Sequence, residues 1–322
     1  MTPEAQILLT RRMPPPAERL LRDAGLRVDA VENDAPLPPA ELLRRVRGVS
    51  GLICSLSEPV DTAVLEAAGP SLRVVANFAV GVDNIDVPAC TACGVRVTNT
   101  PDILTDATAD LTWALILATA RRVVEGDRHV RSGEWKGWTP TESLGVELTG
   151  ATLGIVGAGR IGMAVGLRSR GFGMRVLYVH PRANATLESD VGAERVDLDR
   201  LLRESDILTL HVPMTQENHH LIDRARLARM KPTAILINTA RGPIVDEVAL
   251  LEALRENRID SAGLDVFEHE PRLSAGLSEL ANVVLLPHVG SATTRTRAAM
   301  SRMAAENVIA VLTDRPPPNP VN

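Results

Sequence analysis

Three side chains with catalytic potential follow apolar segments in the second half of the chain. Arg241 lies in "NTARGPIVD", Glu270 in "GLDVFEHEP" and His288 in "LLPHVGSAT". Each apolar segment is typical of a strand in an open α/β sheet, where ligands bind at the carboxyl ends of the strands. An arginine that grips a carboxylate, an imidazole that donates a proton and a carboxylate that orients the imidazole together suit the reduction of a 2-keto acid.

Each of these residues also has a structural interpretation when it is taken alone. Arg241 could pair with Asp246, Glu270 could be a surface acid between His269 and Pro271, and His288 could cap a helix. The coincidence of all three at strand ends beside a cofactor site favours the catalytic interpretation.

A glycine-rich segment predicts a dinucleotide site upstream of these residues. Gly157, Gly159 and Gly162 form a G-x-G-x-x-G pattern between an apolar strand and a helical segment. This is the context in which the motif binds a pyrophosphate, because the first glycine makes the turn, the second admits the backbone to the phosphates and the third lets helix and strand pack. The free N–H groups at the helix start favour the anion.

The end of the next strand, in "VLYVHPRAN", lacks the acidic residue that would bind the ribose hydroxyls of NAD. His180 and Arg182 stand there instead, with Asn184 nearby, and both can donate to a 2′-phosphate. The pattern favours NADP(H), while NAD(H) remains possible. The alternative is an ordinary surface turn.

The elements that must position these residues alternate along the chain. The predicted strands of the first hundred residues are separated by helical patterns, which implies a parallel sheet. A long helix is predicted over "ILTDATADLTWALILATARRVVEGDRHVRSG", which holds no Gly or Pro from Ile103 to Glu125. A second alternating segment starts at Ala151, and a last helix runs from Thr293 to Leu312. The predicted strands are 6–10, 25–31, 51–54, 72–77 and 95–99, then "TLGIVG", "RVLYV", "ILTLHV", "AILINT", "SAGLDV" and "NVVLLP".

The fold class expected is therefore α/β, with two doubly wound parallel-sheet domains of the Rossmann or flavodoxin type joined by long helices. We expect a substrate domain at 1–100 plus 292–322 and a dinucleotide-binding domain at 101–291. The length of 322 residues fits two domains.

Composition excludes several classes of function. The net charge of −5 gives no footprint for nucleic acid, and no apolar run approaches the roughly 18 residues that span a bilayer. Three cysteines are too few for a disulfide framework, and the lone C-x-x-C of Cys90 and Cys93 lacks the context of a zinc or redox site, so no metal is expected. We expect a cytoplasmic protein without nucleic-acid or membrane partners.

At these motifs the chain resembles the D-isomer-specific 2-hydroxyacid dehydrogenases, over nearly its whole length. The resemblance implies that Arg241, Glu270 and His288 form the catalytic triad, with His288 as the proton donor, and that Asp265 contacts the nicotinamide carboxamide. The residues expected to bind cofactor are Gly157, Gly159, Arg160, Ile161, Gly162, His180, Arg182, Val212, Pro213, Thr239, Ala240, Asp265 and Gly290.

The segment "ANFAVGVDNIDV" resembles the substrate loop of that family. The resemblance implies that the N–H groups of Val80 and Gly81 meet the substrate carboxylate, with Asn77 behind them. The "WKGWTP" loop is similar to the glyoxylate and hydroxypyruvate reductase branch, in which a tryptophan, here Trp138, reaches the active site of a partner subunit. Trp138 could instead be a hydrophobic dimer contact only.

The expected function is NAD(P)H-dependent reduction of a small 2-keto acid to the D-2-hydroxy acid by a homodimer. Two alternatives remain open. One is a phosphite dehydrogenase or another 2-hydroxyacid dehydrogenase on the same scaffold. The other is a dinucleotide-sensing, corepressor-like protein without enzymatic activity, since a fold alone does not fix a function.

Overall fold

The computed structural model describes residues 5–322, which form two compact units. Unit 1 comprises the chain up to Leu104 together with Ser291–Asn322, and unit 2 comprises Thr105–Gly290. The boundaries expected from the sequence lie a few residues away, and residues 1–4 of the expected first domain lie outside the described residues.

Unit 1 is built on a five-stranded parallel sheet with the strand order β2-β1-β3-β4-β5. Its elements are β1 (Gln6–Leu9), α1 (Ala17–Asp23), β2 (Arg27–Ala30), α2 (Pro39–Arg45), β3 (Gly51–Cys54), α3 (Thr62–Ala68), β4 (Val74–Asn77), α4 (Val87–Ala92), β5 (Arg96–Thr98) and α12 (Thr294–Leu312).

Alternate residues of these strands feed two cores, one on each face of the sheet. On one face Ile7 and Leu9 of β1 pack with α1 and α12, where Val308 is fully buried. On the other face Leu8 of β1 and Leu52 of β3 pack with residues of α2, α3 and α4. Both faces of the sheet are covered, as is usual for parallel sheets.

Unit 2 is built on a seven-stranded parallel sheet with the order β12-β11-β10-β9-β6-β7-β8. Its elements are α5 (Thr105–Ala120), α6 (Val123–Ser132), β6 (Thr152–Val156), α7 (Arg160–Arg168), β7 (Arg175–Val179), α8 (Ala185–Val191), β8 (Glu194–Arg195), α9 (Leu198–Glu204), β9 (Ile207–Leu210), α10 (Arg224–Leu227), β10 (Ile235–Asn238), α11 (Glu247–Arg255), β11 (Ser261–Leu264) and β12 (Val283–Leu285).

The predicted fold class is confirmed, because both sheets are parallel throughout and carry helices on both faces. In each unit the strand order reverses beside the first strand of the sheet, between β1 and β3 in unit 1 and between β6 and β9 in unit 2. Such a reversal leaves a crevice at the carboxyl ends of the strands, where ligands of this architecture bind.

The single long helix predicted over residues 103–133 is wrong. The structure has two helices there, α5 and α6, and Arg122 between them takes the left-handed conformation with φ of 52°. The carbonyl oxygen of Ala120 accepts a hydrogen bond from the N–H of Val146 at 2.7 Å. A segment distant in the sequence thus takes over a helical acceptor, and the helix ends where no Gly or Pro marks it.

No helix within residues 5–322 combines the length and the apolar character needed to cross a membrane. All three cysteines are free, with Cys54 and Cys90 buried and Cys93 exposed.

Candidate active site

The glycine loop joins β6 to α7 and has the geometry of a phosphate cradle. Gly157 takes φ of 95°, and a Cβ there would lie 2.6 Å from the carbonyl oxygen of His211. A Cβ at Gly162 would collide with the carbonyl oxygen of Gly157. A larger residue is therefore excluded at both positions by backbone, which does not yield.

The space above the loop is open. A Cβ at Gly159 would meet no heavy atom within 4 Å, and Gly159 caps α7 without a side-chain hydrogen bond. The N–H groups at the start of α7 therefore keep their capacity to bind an anion. A dinucleotide pyrophosphate fits this site.

Arg241 stands at the carboxyl end of β10 on a braced backbone. Buried Asn238 donates its side-chain N–H to the carbonyl of Arg241 at 2.9 Å and accepts from the N–H of Ala240 at 3.0 Å. A Cβ at the next residue, Gly242, would collide with the backbone of Phe267 and Glu268. The segment that carries Arg241 thus packs directly on the segment that leads to Glu270.

His288 and Glu270 form a hydrogen-bonded pair. The Nδ1 atom of His288 lies 2.9 Å from Oε2 of Glu270, and Oε1 of Glu270 accepts from the N–H of Phe267 at 3.1 Å. His288 takes φ of 55°, a conformation that non-glycine residues adopt at a cost and that is common at functional sites. Both side chains remain about one-third exposed, so Nε2 of His288 is the ring nitrogen left for a ligand.

Burial alone would raise the pKa of Glu270, but the hydrogen bond and charge of His288, the Phe267 N–H and the charge of Arg241 outweigh it. The pKa of Glu270 is therefore lowered. Glu270 is an anion at neutral pH, and this anionic acceptor keeps a ring proton of His288 on Nδ1.

Asp265 ties β11 to the backbone that carries His288. It is almost fully buried, and its two carboxylate oxygens accept the N–H groups of Val289 and Gly290, both at 2.8 Å. Burial raises the pKa of Asp265, although these N–H groups and the charge of His288 oppose the rise. The N–H of His288 in turn donates to the Asp265 carbonyl at 2.9 Å.

In unit 1 the loop after β4 presents two unused donors. Within residues 5–322 neither the N–H of Val80 nor that of Gly81 donates a hydrogen bond. The carbonyl oxygens on the same loop are held: Asn77 donates to that of Gly81 and Asn99 to that of Val80, each at 2.7 Å. The loop therefore offers two N–H groups on a fixed backbone, which suits a carboxylate.

Comparison with known proteins assigns the chain to a protein family. Residues 113–290 match the model of the D-isomer specific 2-hydroxyacid dehydrogenase NAD-binding domain. The chain belongs to this family of dehydrogenases. Its cofactor is accordingly a nicotinamide dinucleotide, and the matched region lies within unit 2.

Relatives of this 2-hydroxyacid dehydrogenase match over nearly the full length. The glyoxylate reductase of Thermococcus onnurineus is 49% identical over 321 residues, which cover 98% of this chain and 96% of that protein. The crystal structure of the TT0316 protein from Thermus thermophilus matches with a TM-score of 0.92 and 48% identity, covering 98% of this chain and all of that one. The NADPH-dependent glyoxylate/hydroxypyruvate reductase of Sinorhizobium meliloti, solved with NADP and malonate, matches with a TM-score of 0.85 and 35% identity, covering 99% and 97% of the two chains.

The remaining candidate cofactor residues of this dehydrogenase lie where strands of the larger sheet end. Thr239 is nearly buried, and its hydroxyl lies 2.9 Å from the hydroxyl of Thr112 on α5. The rest follow strands or open α7: Arg160 and Ile161 begin the helix, Val212 and Pro213 follow β9, Ala240 follows β10, and Gly290 follows His288.

The turn after β7 is more constrained than its sequence suggests. His180 is half-buried and Arg182 is exposed. Arg195, at the end of β8, donates to the carbonyls of His180 at 2.9 Å and Pro181 at 2.7 Å. Asn184 does not have a free side chain, because it accepts from the N–H of Leu187 as the cap of α8 and donates to Ala158 of the glycine loop at 2.9 Å.

Two residues that position the site, Arg195 and Asn84, were not predicted from the sequence. Arg195 lies on a strand too short to be predicted from its pattern. Asn84 lies in the middle of "VDNIDV", and its side chain donates to the carbonyls of Ser55 and Glu58, each at 3.0 Å, and accepts from Asn77 at 2.9 Å. Its sequence context carried no signal, because the same stretch also carries two aspartates, Asp83 and Asp86.

Proposed function

We propose that this chain reduces small 2-keto acids, glyoxylate and hydroxypyruvate, to the corresponding 2-hydroxy acids, with D stereochemistry where the product is chiral, and that it prefers NADPH. The observation that carries the proposal is the His288–Glu270 pair at 2.9 Å, which follows strands of the same parallel sheet that carries Arg241 and the glycine loop. Two of the relatives named above are glyoxylate reductases, and they support the choice of substrate.

His288 is proposed as the proton donor. The cofactor, when bound, supplies a hydride to carbon 2 of the keto acid. As negative charge develops on the carbonyl oxygen, Nε2 of His288 gives its proton to that oxygen, while Glu270 holds Nδ1 and orients the ring. In the reverse direction the neutral imidazole takes the proton back.

Arg241 and the loop after β4 are proposed to bind the keto acid. The guanidinium of Arg241 carries a permanent charge and a fork of donors that suits a carboxylate or the adjacent carbonyl. The unused N–H groups of Val80 and Gly81 add neutral donors to the carboxylate, with Asn77 fixing their backbone. In this arrangement unit 1 is the substrate domain and unit 2 the cofactor domain.

The cofactor proposal has three parts. The glycine loop and the start of α7 bind the pyrophosphate, and Asp265 lies near the nicotinamide end. His180 and Arg182 meet the 2′-phosphate of NADPH, because no carboxylate stands directly after β7, in residues 180–184, to bind the ribose hydroxyls of NAD or to repel the phosphate. NADH remains usable at lower efficiency.

Trp138 is proposed to contribute to a homodimer and to the partner's active site. Its side chain is 84% exposed, in a segment where Trp135 and Leu144 are also exposed. Exposed aromatic and aliphatic side chains of this density mark interaction surfaces.

The test of the proposed function is a panel of 2-keto acids, each assayed with NADPH and NADH as the decrease in absorbance of the reduced cofactor. We expect turnover of glyoxylate and hydroxypyruvate, faster with NADPH. Reduction of neither acid with either cofactor would refute the proposal and favour a dinucleotide sensor. Turnover of phosphite with NADP⁺ in the absence of keto-acid reduction would place the chemistry elsewhere on the same scaffold.

A further inference from the structure

Two adjacent histidines and a glutamate form a cluster that the proposed reaction does not use. His219 and His220 lie in the loop after β9, and Glu268 lies in the segment after β11. Each contributes a possible ligand atom, and these atoms all lie within 4.8 Å of one another. The Nε2 atom of His220 is 2.7 Å from Oε1 of Glu268, and the two imidazole rings stack with centroids 4.0 Å apart.

The backbone and the carboxylate of this cluster are held by outer contacts. The N–H of His220 donates to the carbonyl of Pro243 at 2.8 Å, and His220 takes φ of 50°. The second carboxylate oxygen of Glu268 accepts from the N–H of Glu247 at 3.1 Å, and the N–H of Glu268 donates to the Glu247 carboxylate at 3.0 Å. Outer hydrogen bonds of this kind orient the first ligands of metal sites.

His219 differs from its neighbour because its ring is uncommitted. It is exposed, and within residues 5–322 its ring nitrogens make no hydrogen bond. A structural role for the His220–Glu268 pair therefore leaves unexplained why a second imidazole stacks beside it with a lone pair available.

We propose that His219, His220 and Glu268 form a binding site for a divalent transition metal of the Zn²⁺ type. Two imidazoles and one carboxylate are the donor set that such borderline cations prefer, with further positions left to water. Bond lengths near 2.1 Å place the ligand atoms of a tetrahedral ion about 3.4 Å apart, so His219 must swing inward while His220 and Glu268 open slightly. His220 then carries its remaining proton on Nδ1.

The site would join two segments that bear catalytic candidates. His220 is tied to Pro243, two residues after Arg241, and Glu268 precedes Glu270 by two residues. An ion that binds only the folded chain stabilises it by linkage. Zn²⁺ is therefore expected to raise the melting temperature of the protein.

The test uses the full chain without a histidine affinity tag and Zn²⁺ as the probe. Calorimetric titration with zinc chloride and thermal unfolding are measured for the wild type, for His219→Ala and for His269→Ala. The last is a matched control, because His269 is exposed beside Glu268 but lies outside the cluster. Neither measurement needs cofactor or keto acid, so the result does not depend on the proposed function.

We expect one saturable site in the wild type and in His269→Ala, and an affinity lower by about tenfold or more in His219→Ala, the size of loss typical when metal-site contacts are removed. The rise in melting temperature should disappear in His219→Ala alone. The proposal is overturned if the wild type shows no saturable Zn²⁺ binding. It is also overturned if His219→Ala binds as tightly as the wild type, because the ion would then sit elsewhere, for instance on His288 and Glu270.

Discussion

Asn84 offers the sharpest test of how the loop after β4 is positioned. In Asn84→Ala, the carbonyls of Ser55 and Glu58 lose their donor and the amide of Asn77 loses its acceptor. Asn77 in turn holds the carbonyl of Gly81. The substitution therefore removes a brace of the loop without touching any group that we propose to meet the keto acid.

The expected magnitude follows from these three contacts. A net hydrogen bond contributes about 0.5–1.5 kcal/mol, and a buried partner left unpaired costs about 1–3 kcal/mol. Because Asn84 is only half-buried and water can replace part of the loss, we expect the free energy of unfolding to fall by about 2 kcal/mol. For a unit of this size that lowers the melting temperature by roughly 4–8 °C.

The effect on activity should be specific to the keto acid. Loss of one well-formed hydrogen bond to a charged group, about 1.5–3 kcal/mol, corresponds to a fall of about 10- to 150-fold in kcat/KM for glyoxylate. The dissociation constant of NADPH should be unchanged. The assays are thermal unfolding, steady-state kinetics with glyoxylate and fluorescence titration with NADPH.

Two further variants separate positioning from general destabilisation. Asn84→Asp keeps the size but replaces the donor with an acceptor that faces two carbonyls, so it should be at least as impaired as Asn84→Ala. Asn282→Ala removes a comparable side-chain donor in unit 2, where Asn282 donates to the backbone carbonyl of Asp260 at 2.8 Å. This variant should lower the free energy of unfolding while leaving the KM for glyoxylate unchanged. If Asn84→Ala lost stability but kept kcat/KM for glyoxylate within about twofold, a gap of only ~0.4 kcal/mol, the positioning role would be refuted.

Three other expectations concern the proposed catalytic and cofactor residues. His288→Ala should lower kcat by about 10²- to 10⁴-fold with NADPH binding retained, and a near-wild-type kcat would remove His288 as the proton donor. Glu270→Gln should lower kcat, because a neutral amide replaces the anionic acceptor of Nδ1 of His288; an unchanged kcat would reject the coupling. His180→Asp and Arg182→Ala should each lower the NADPH to NADH ratio of kcat/KM, by up to about 10- to 150-fold for a well-formed charge-assisted contact, and an unchanged ratio would reduce the turn after β7 to a structural element.

The lowered pKa of Glu270 also sets the sign of a stability effect. A carboxyl whose pKa is lower in the folded than in the unfolded chain stabilises the fold above its unfolded pKa, and this contribution disappears as the pH falls through the folded pKa. The stability difference between wild type and Glu270→Gln, measured by urea unfolding, should therefore be largest near neutral pH and shrink under acid conditions. A difference that stayed constant across that range would contradict the lowered pKa.

Most strands could be predicted from the sequence because they bury both faces, whereas the short, exposed β8 could not. Runs such as "GLIC" and "AILI" are continuously apolar, as expected for parallel sheets covered on both sides, and they form β3 and most of β10. The break between α5 and α6 could not be predicted, because it depends on Val146 reaching the carbonyl of Ala120 from a distant segment. Local propensity carries no information about such a contact.

In the candidate site, too, the residue types could be predicted from the sequence but their geometry could not. Residue types at strand ends pointed to Arg241, Glu270 and His288, because the strands themselves could be read from their apolar runs. The geometry of these residues could not be predicted from the sequence. The left-handed backbone of His288 and the two backbone hydrogen bonds that Asp265 accepts both depend on tertiary packing. Chemical type is local, whereas the orientation that makes it useful is set by contacts far apart in sequence.

The turn after β7 shows how tertiary contacts bear on the choice between NADPH and NADH. From the sequence, "VHPR" presents an imidazole and a guanidinium that could equally belong to a solvated turn. In the structure, Arg195 binds the carbonyls of His180 and Pro181 and so fixes the backbone between the two proposed phosphate donors. Asn184, which follows them in the sequence, is committed to α8 and the glycine loop. A turn braced from β8 and joined to the glycine loop through Asn184 is pre-organised, and pre-organisation is what allows an exposed arginine to contribute to phosphate affinity rather than lose it to side-chain entropy.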